Sequence, residues 1–303
     1  MTTESAATGP LAVSRPHRPR PRGPRVRRIV REVCFYIAVI VVILIALFPF
    51  YWILRTSLLS DQAVGQGVGG PNGIIPAHLT GAAYREDFTQ QGFLTPLVNS
   101  AIVAGLTTLI TLVVATLAAY ALARMPIRGA RAILVFILVA GFFPVLAMVG
   151  PLFLVLRNLG MLDSIWPLII VYLVYTLPIA TYLLRNFFQQ IPLDLEEAAL
   201  VDGATRLVAL RRVVIPVAIP GVFTAGIIAF ILAWNDFAFA VSFLETPSHF
   251  TAPLAIVNLG QSQFQVFYNR IDAAVVIITV PVALLVLLAQ RRIVAGLTAG
   301  SFR

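Results

Sequence analysis

Apolar and polar positions along the chain fall into long blocks, not into the alternation of a strand or the narrow stripe of a surface helix. Six blocks, 33–54, 97–123, 132–156, 165–184, 217–244 and 271–289, are almost uninterrupted in apolar residues. Each is near the length of about 20 residues that one helix needs to cross a hydrocarbon core. The pattern predicts an all-α integral membrane protein with six transmembrane helices. Pro49, Pro144, Pro151, Pro167, Pro178, Pro220 and Pro281 sit in or at the edges of these blocks. Membrane helices accept such prolines because neighbouring helices and local adjustments satisfy the freed carbonyls, so kinks in a packed bundle are expected.

Composition agrees: 59% of the 303 residues are hydrophobic, 12% are charged and the mean hydropathy is +0.91, whereas soluble domains carry about 25% charge. The basic residues are all arginine, 22 in number with no lysine. That excludes a Schiff-base lysine and the lysine of a GxxxxGK[ST] phosphate loop, so any ATP used in the function is hydrolysed on another polypeptide. Cys34 is the single cysteine and rules out an intrachain disulfide, and His17, His78 and His249 lie in a tail and two loops without metal-ligand spacing. No nucleophile motif such as GxSxG is present, which counts against a membrane-embedded enzyme.

Arginine placement sets the expected orientation. Eighteen of the 22 arginines fall in the segment before residue 33, in the second-to-third and fourth-to-fifth connections, and after the sixth block, leaving Arg55, Arg85, Arg157 and Arg270 on the other side. The positive-inside rule then puts both termini in the cytoplasm. Residues 1–32 interleave Arg with Pro and offer no apolar face, so a disordered tail held against anionic headgroups is expected, with nucleic acid the lesser reading. Residues 33–303 form the six-span domain. Two outer connections are long: 60–94, with a Gly-rich start, and 245–270, in which Gln261, Ser262, Gln263 and Phe264 combine amides with an aromatic ring suited to a protein or sugar contact.

The fourth-to-fifth connection, about 189–216, carries the most information. Asp194 is placed to cap a short helix with Glu197 completing a capping box. Gly203 is placed to end that helix in a left-handed conformation, and Thr205 to cap a second helix that Pro216 closes. Glu197 has two readings: a cap alone, or a carboxylate on a helical knob that a cytoplasmic partner grips. Asn235 and Asp236 fall inside the fifth block, where a carboxylate costs about 2.5 to 3.5 kcal/mol unless it is paired or wetted. They either line the translocation path or bond another helix as structural glue.

Glu197-Ala198-Ala199, three residues, Gly203, nine residues and Val213-Val214-Ile215-Pro216 resemble the EAA motif of ABC-importer permeases, with Glu196 and Asp202 in the same stretch. Asp202-Gly203-Ala204-Thr205, Ala233-Trp234-Asn235-Asp236, Asn99-Ser100 and the ending from Gln290 to Gly300 are similar to carbohydrate permeases of the maltose-transporter type. Within that type the chain resembles the second permease subunit of actinobacterial trehalose and α-glucoside importers. The resemblance implies a type I ABC-importer transmembrane domain in a bacterial plasma membrane. It further implies a second homologous permease, an ABC ATPase dimer that carries ATP and Mg, and an extracytoplasmic sugar-binding lipoprotein as partners, with no cofactor on this chain. The loop at Glu197 becomes the coupling helix, Gly296, Leu297 and Thr298 reach the ATPase, and Gln261 to Phe264 meet the binding protein. The alternative is a stand-alone channel or secondary transporter, for which no inverted repeat or intramembrane charge relay is visible.

Overall fold

The structure, a computed structural model, describes residues 25–65, 73–76, 78–89, 91–259 and 266–298. Its compact units are Met1–Tyr51, which holds most of the first helix, and Trp52–Arg303. The helices in order are α1 (Arg25–Ser57), α2 (Asp61–Gly65), α3 (Ala82–Thr89), α4 (Leu94–Arg124), α5 (Ala130–Gly141), α6 (Val145–Asn158), α7 (Trp166–Gln190), α8 (Leu193–Val201), α9 (Arg206–Ala209), α10 (Ile215–Val217), α11 (Ile219–Trp234), α12 (Ala238–Phe243), α13 (Ala252–Asn258) and α14 (Tyr268–Thr298). A π-helical turn, Leu210–Val214, joins α9 to α10.

Four helices, α1, α4, α7 and α14, are long and apolar enough to cross a membrane unbroken. The third and fifth expected spans are not straight. In the third, α5 and α6 meet at 83°; ahead of the fifth, the run 206–217 meets α11 at 82°, and the spans number six where each bent pair counts as one. The first bend falls at Pro144, which lacks an N–H and keeps the preceding residue from helical geometry. The second falls at Ala218 between Pro216 and Pro220, so Pro216 does not close its helix as expected. It lies within α10, and the chain turns two residues later. The block 217–244 is also not one helix: α11 ends at Trp234 and α12 restarts at Ala238, which puts Asn235 and Asp236 in a break.

In the second unit α4 is the central helix, packed on α7 and α11, and α11 also meets α14. Ala104, Ala115 and Ala119 on α4 are fully buried, and small side chains of this kind let membrane helices approach closely. The core has two halves. Val103, Leu168, Tyr172, Trp234, Phe239 and Phe243 fill one, and Tyr120, Leu184, Phe188, Leu210, Val214 and Ala225 the other. Between them the hydroxyls of Thr111 and Thr176 bond each other at 2.8 Å, satisfying two buried polar groups across α4 and α7. A Cβ at Gly141 would fall 2.6 Å from Pro178, and one at Gly221 would overlap the Phe187 ring, so both glycines mark close helix contacts.

Candidate functional site: the segment between α7 and α10

α7 ends at Gln190, and Ile191 and Pro192 are extended before α8 begins at Leu193. The expected Asp194 cap is not formed. Pro192 occupies the cap position with no side-chain bond, because its fixed φ starts the helix two residues earlier than the carboxylate would. Asp194 and Glu196 lie in the first turn, where negative charge still suits the helix dipole.

The other end of α8 follows expectation. Gly203 has φ 88, its N–H bonds the Leu200 carbonyl at 3.1 Å, and the Ala204 N–H bonds the Ala199 carbonyl at 3.0 Å. These paired bonds make a Schellman ending, which requires a left-handed residue at the glycine position. No atom lies within 4 Å of a Cβ there, so the backbone angle, not space, selects glycine. Thr205 caps α9 by accepting the Val208 N–H at 3.4 Å.

The two adjacent glutamates divide. Glu197 and Ala198 are exposed and Ala199 is half-buried, with Asp202 exposed beside them. Leu193, Leu195, Val201 and Leu207 are apolar side chains on the same segment that stay exposed, Val201 at 87%. Glu196, expected with Glu197 at a partner surface, is buried instead. It pairs with Arg124, Nε to Oε2 3.4 Å, the two side chains being 5% and 9% exposed, and accepts a short hydrogen bond from the Tyr120 hydroxyl. Arg124 also donates from Nη2 to the Ile191 carbonyl at 2.7 Å, and the Tyr120 hydroxyl reaches the Arg206 carbonyl at 3.4 Å. Two side chains one helical turn apart on α4 therefore hold the start, middle and end of the segment.

Sequence reasoning counted Arg124 only as a topology marker and passed over Tyr120. The available signal was their i, i+4 spacing at the basic end of a span, which puts them on one helix face.

Asn235 caps α11 and bonds the Ile231 carbonyl from Nδ2 at 2.9 Å. Asp236 Oδ2 accepts from the Tyr172 hydroxyl at 2.7 Å and from the N–H groups of Phe239 and Ala240 at 3.2 and 3.3 Å. The carboxylate thus starts α12 and ties it to α7. Gly296, Leu297 and Thr298 are helical at the end of α14, but their side chains lie outside the described residues, as do Gln261, Ser262, Gln263 and Phe264.

The opposite end of the second unit is pinned by charge. Arg270 Nη2 contacts Asp61 at 3.2 Å and Glu86 at 2.7 Å, while Asn269 Nδ2 donates to the Leu59 carbonyl and to Asp61. Asp87 on α3 is fully buried and neither of its carboxylate oxygens has a hydrogen-bond partner among the described residues. Burial pushes its carboxyl up to about 7, against the pull of Arg270 and with help from Glu86. Asp163, at φ 55, accepts from the N–H groups of Glu245 and Thr246 at 2.9 and 2.8 Å and from the Thr246 hydroxyl at 2.5 Å. Those donors hold its carboxyl well below the usual range, and His249 Nδ1 lies 3.2 Å away.

Comparison with known proteins gives the same direction as the EAA spacing. Over 260 residues the chain is 42% identical to the trehalose transport system permease protein SugB of Mycobacterium tuberculosis, covering 85% of this chain and 93% of that protein. It is also 42% identical over 268 residues to the sulfoquinovosyl glycerol transport system permease protein SmoH of Agrobacterium fabrum, covering 88% and 93%. The fold matches a chain of a bacterial ABC transporter that imports the acidic polysaccharide alginate, with TM-score 0.72, 27% identity, and coverage of 90% of this chain and 98% of that one. The architecture is that of a type I ABC-importer transmembrane domain. Residues 111–298 match the family described as binding-protein-dependent transport system inner membrane component, and with that match over more than half of the chain and the likeness to the transport permeases above, the chain belongs to that family of transport permeases.

Proposed function

We propose that the chain is one of two permease subunits of a sugar importer, oriented with both termini and α8 in the cytoplasm, and driven by ATP and Mg on a separate ATPase dimer. The observation that carries this reading is the exposed Glu197–Ala198 face of α8, bordered by Leu193, Leu195 and Val201. It is a carboxylate on a small-residue face with an apolar rim, held on a short helical hairpin. Such a face suits a cleft that supplies a charged donor and covers the rim. Glu197 then bonds the ATPase, Ala198 and Ala199 permit close approach, and Gly203 sets the exit angle. Asp202, Pro216 and the ending at Gly296, Leu297 and Thr298 belong to the same contact zone. Gln261, Ser262, Gln263 and Phe264 face the sugar-binding lipoprotein, and Asn235 borders the path beside Asp236.

The substrate is proposed to be a glycoside of the trehalose or α-glucoside class, on the likeness to the trehalose permease SugB. The equal identity to a permease for sulfoquinovosyl glycerol supports a second, anionic glycoside reading.

Copurification tests the assembly, and the affinity of the cognate binding protein tests the cargo. The tagged chain is expected to bring down an ATPase and a second permease, and Glu197→Arg to release the ATPase while the permease pair persists. A chain that purifies alone would be a stand-alone channel or carrier. Calorimetry of the binding protein with trehalose, maltose and sulfoquinovosyl glycerol should show tightest binding to trehalose, and preference for the sulfonated ligand would replace the substrate.

A further inference from the structure

The clamp on α8 has a counterpart at the far end of the same helix. Asn99 Nδ2 donates to the carbonyls of Ser248 and Phe250 at 2.9 and 3.0 Å. The Ala252 N–H donates to the buried Ser100 hydroxyl at 2.8 Å. These bonds fix residues 248–252, the stretch that leads through α13 toward the Gln261 loop. α4 therefore holds residues 248–252 with Asn99 and Ser100 and the α8 segment with Tyr120 and Arg124.

The helix between these anchors is built to be stiff. From Ser100 to Tyr120 it runs about 30 Å at roughly 1.5 Å per residue, and no proline follows Pro96 in its sequence. The other crossing helices of the second unit all carry a break or a proline. α7 contains Pro178 and α14 contains Pro281, and the remaining two spans are bent by 83° and 82°. Proline removes an intrahelical bond and is the commonest cause of a kink. A displacement applied at the clamp is thus carried by α4 with less loss than by its neighbours.

We propose that α4 is the transmission strut of the subunit. Tyr120 and Arg124 take up the movement of the α8 segment, and Asn99 and Ser100 deliver it to residues 248–252 on the opposite face. The four are positioning residues that touch neither nucleotide nor sugar. Glu196 is the buried handle by which α4 grips α8, and Glu197 on the outer face is left for the partner. The proposal rests on α8 being the ATPase-coupling element.

The test uses the assembled complex with its ATPase and second permease. It carries a thiol-reactive fluorophore at Glu245→Cys, an exposed site near the upper anchor, in a Cys34→Ser background. Trapping with ATP, Mg and vanadate is expected to change the fluorophore signal in the otherwise unaltered chain. Tyr120→Phe and Asn99→Ala are each expected to weaken that response by roughly 2- to 30-fold while the complex copurifies intact. Because the two contacts lie in series, the double variant should respond no more weakly than the weaker single. A full response in either single variant, or a double variant whose loss is the product of the two, overturns the strut. Loss of assembly in both single variants also overturns it, by reducing the contacts to folding roles. Glu197→Arg separates the premises: if it keeps the ATPase bound and the signal intact, the coupling reading of α8 fails, whatever the α4 variants do.

Discussion

Asp87 shows how much of a residue's behaviour depends on surroundings that its one-letter context conceals. In the sequence it is one acid of an Arg-Glu-Asp stretch in a polar connection, indistinguishable from a solvated charge. In the structure it is fully enclosed, with no hydrogen-bond donor to its carboxylate among the described residues, and burial raises its carboxyl from 3.8 to about 7. The sign of the linkage follows. Between pH 4 and 7 the folded chain holds a proton there that the unfolded chain has lost, so this group's contribution favours folding at low pH and is lost as pH rises through about 7. Asp87→Asn is expected to raise the melting temperature most above pH 7, and the gap to wild type should close below about pH 4. Thermal unfolding in detergent across pH 4–8 checks this, and a gap independent of pH would mean that the carboxylate is charged in the fold. Glu196 and Glu197 make the same point. α8 is apolar around most of its circumference, with Leu193, Leu195, Ala198, Ala199, Leu200 and Val201, so no periodicity told which glutamate turns inward. Only the facing Arg124 and Tyr120 decide it.

Helices and their ends were legible where local chemistry is sufficient. The left-handed Gly203 and the Thr205 cap were readable because each depends on one side chain and its own backbone. The bends at Pro144 and Ala218 were half-legible: prolines announced a disturbance, but the turn of more than 80° depends on what the two halves pack against. The Asp194 cap failed because Pro192 set the helix start first. At Gly203 the backbone angle yields a prediction with an internal control. Valine in a left-handed conformation costs about 1 to 3 kcal/mol, whereas asparagine tolerates that region. Gly203→Val should therefore leave the subunit inserted yet lower sugar uptake per ATP hydrolysed, and Gly203→Asn should retain most of it. Uptake and hydrolysis measured together in proteoliposomes check the pair. Equal coupling in both variants would mean that the exit angle of α8 is irrelevant to transport.

For the whole molecule the apolar blocks gave four helices able to cross a bilayer unbroken, and six crossings where each bent pair counts as one, because the bilayer imposes a length on every apolar block, whatever the packing inside. What lay beyond sequence was the joining of distant loops by one helix, since Asn99 to Ser248 and Tyr120 to Glu196 are contacts across 149 and 76 positions. Orientation is a property of the same scale, and it depends on the sum of arginines near the span ends, not on any one of them. The segment 1–32 holds eight arginines, four of them at Arg25, Arg27, Arg28 and Arg31 beside the first crossing. Charges close to a span act on topology, and those farther out add little to it. The Arg-Pro stretch has no apolar positions to bury, so no contribution to the bundle is expected of it. Its charges are expected to add headgroup attraction, about 1 kcal/mol for each residue near the surface. Removal of residues 2–24 is expected to leave insertion, orientation and sugar uptake at wild-type levels, and to weaken sedimentation of a soluble 1–32 peptide fusion with anionic vesicles when the same residues are deleted from it. Extending the deletion through Arg31 should produce a fraction of inverted chains, visible as protease access to the 125–129 connection from the outer face. Inversion with residues 2–24 alone removed would place the orienting charge in the tail, whereas lost uptake in correctly oriented chains would give that tail a part in transport.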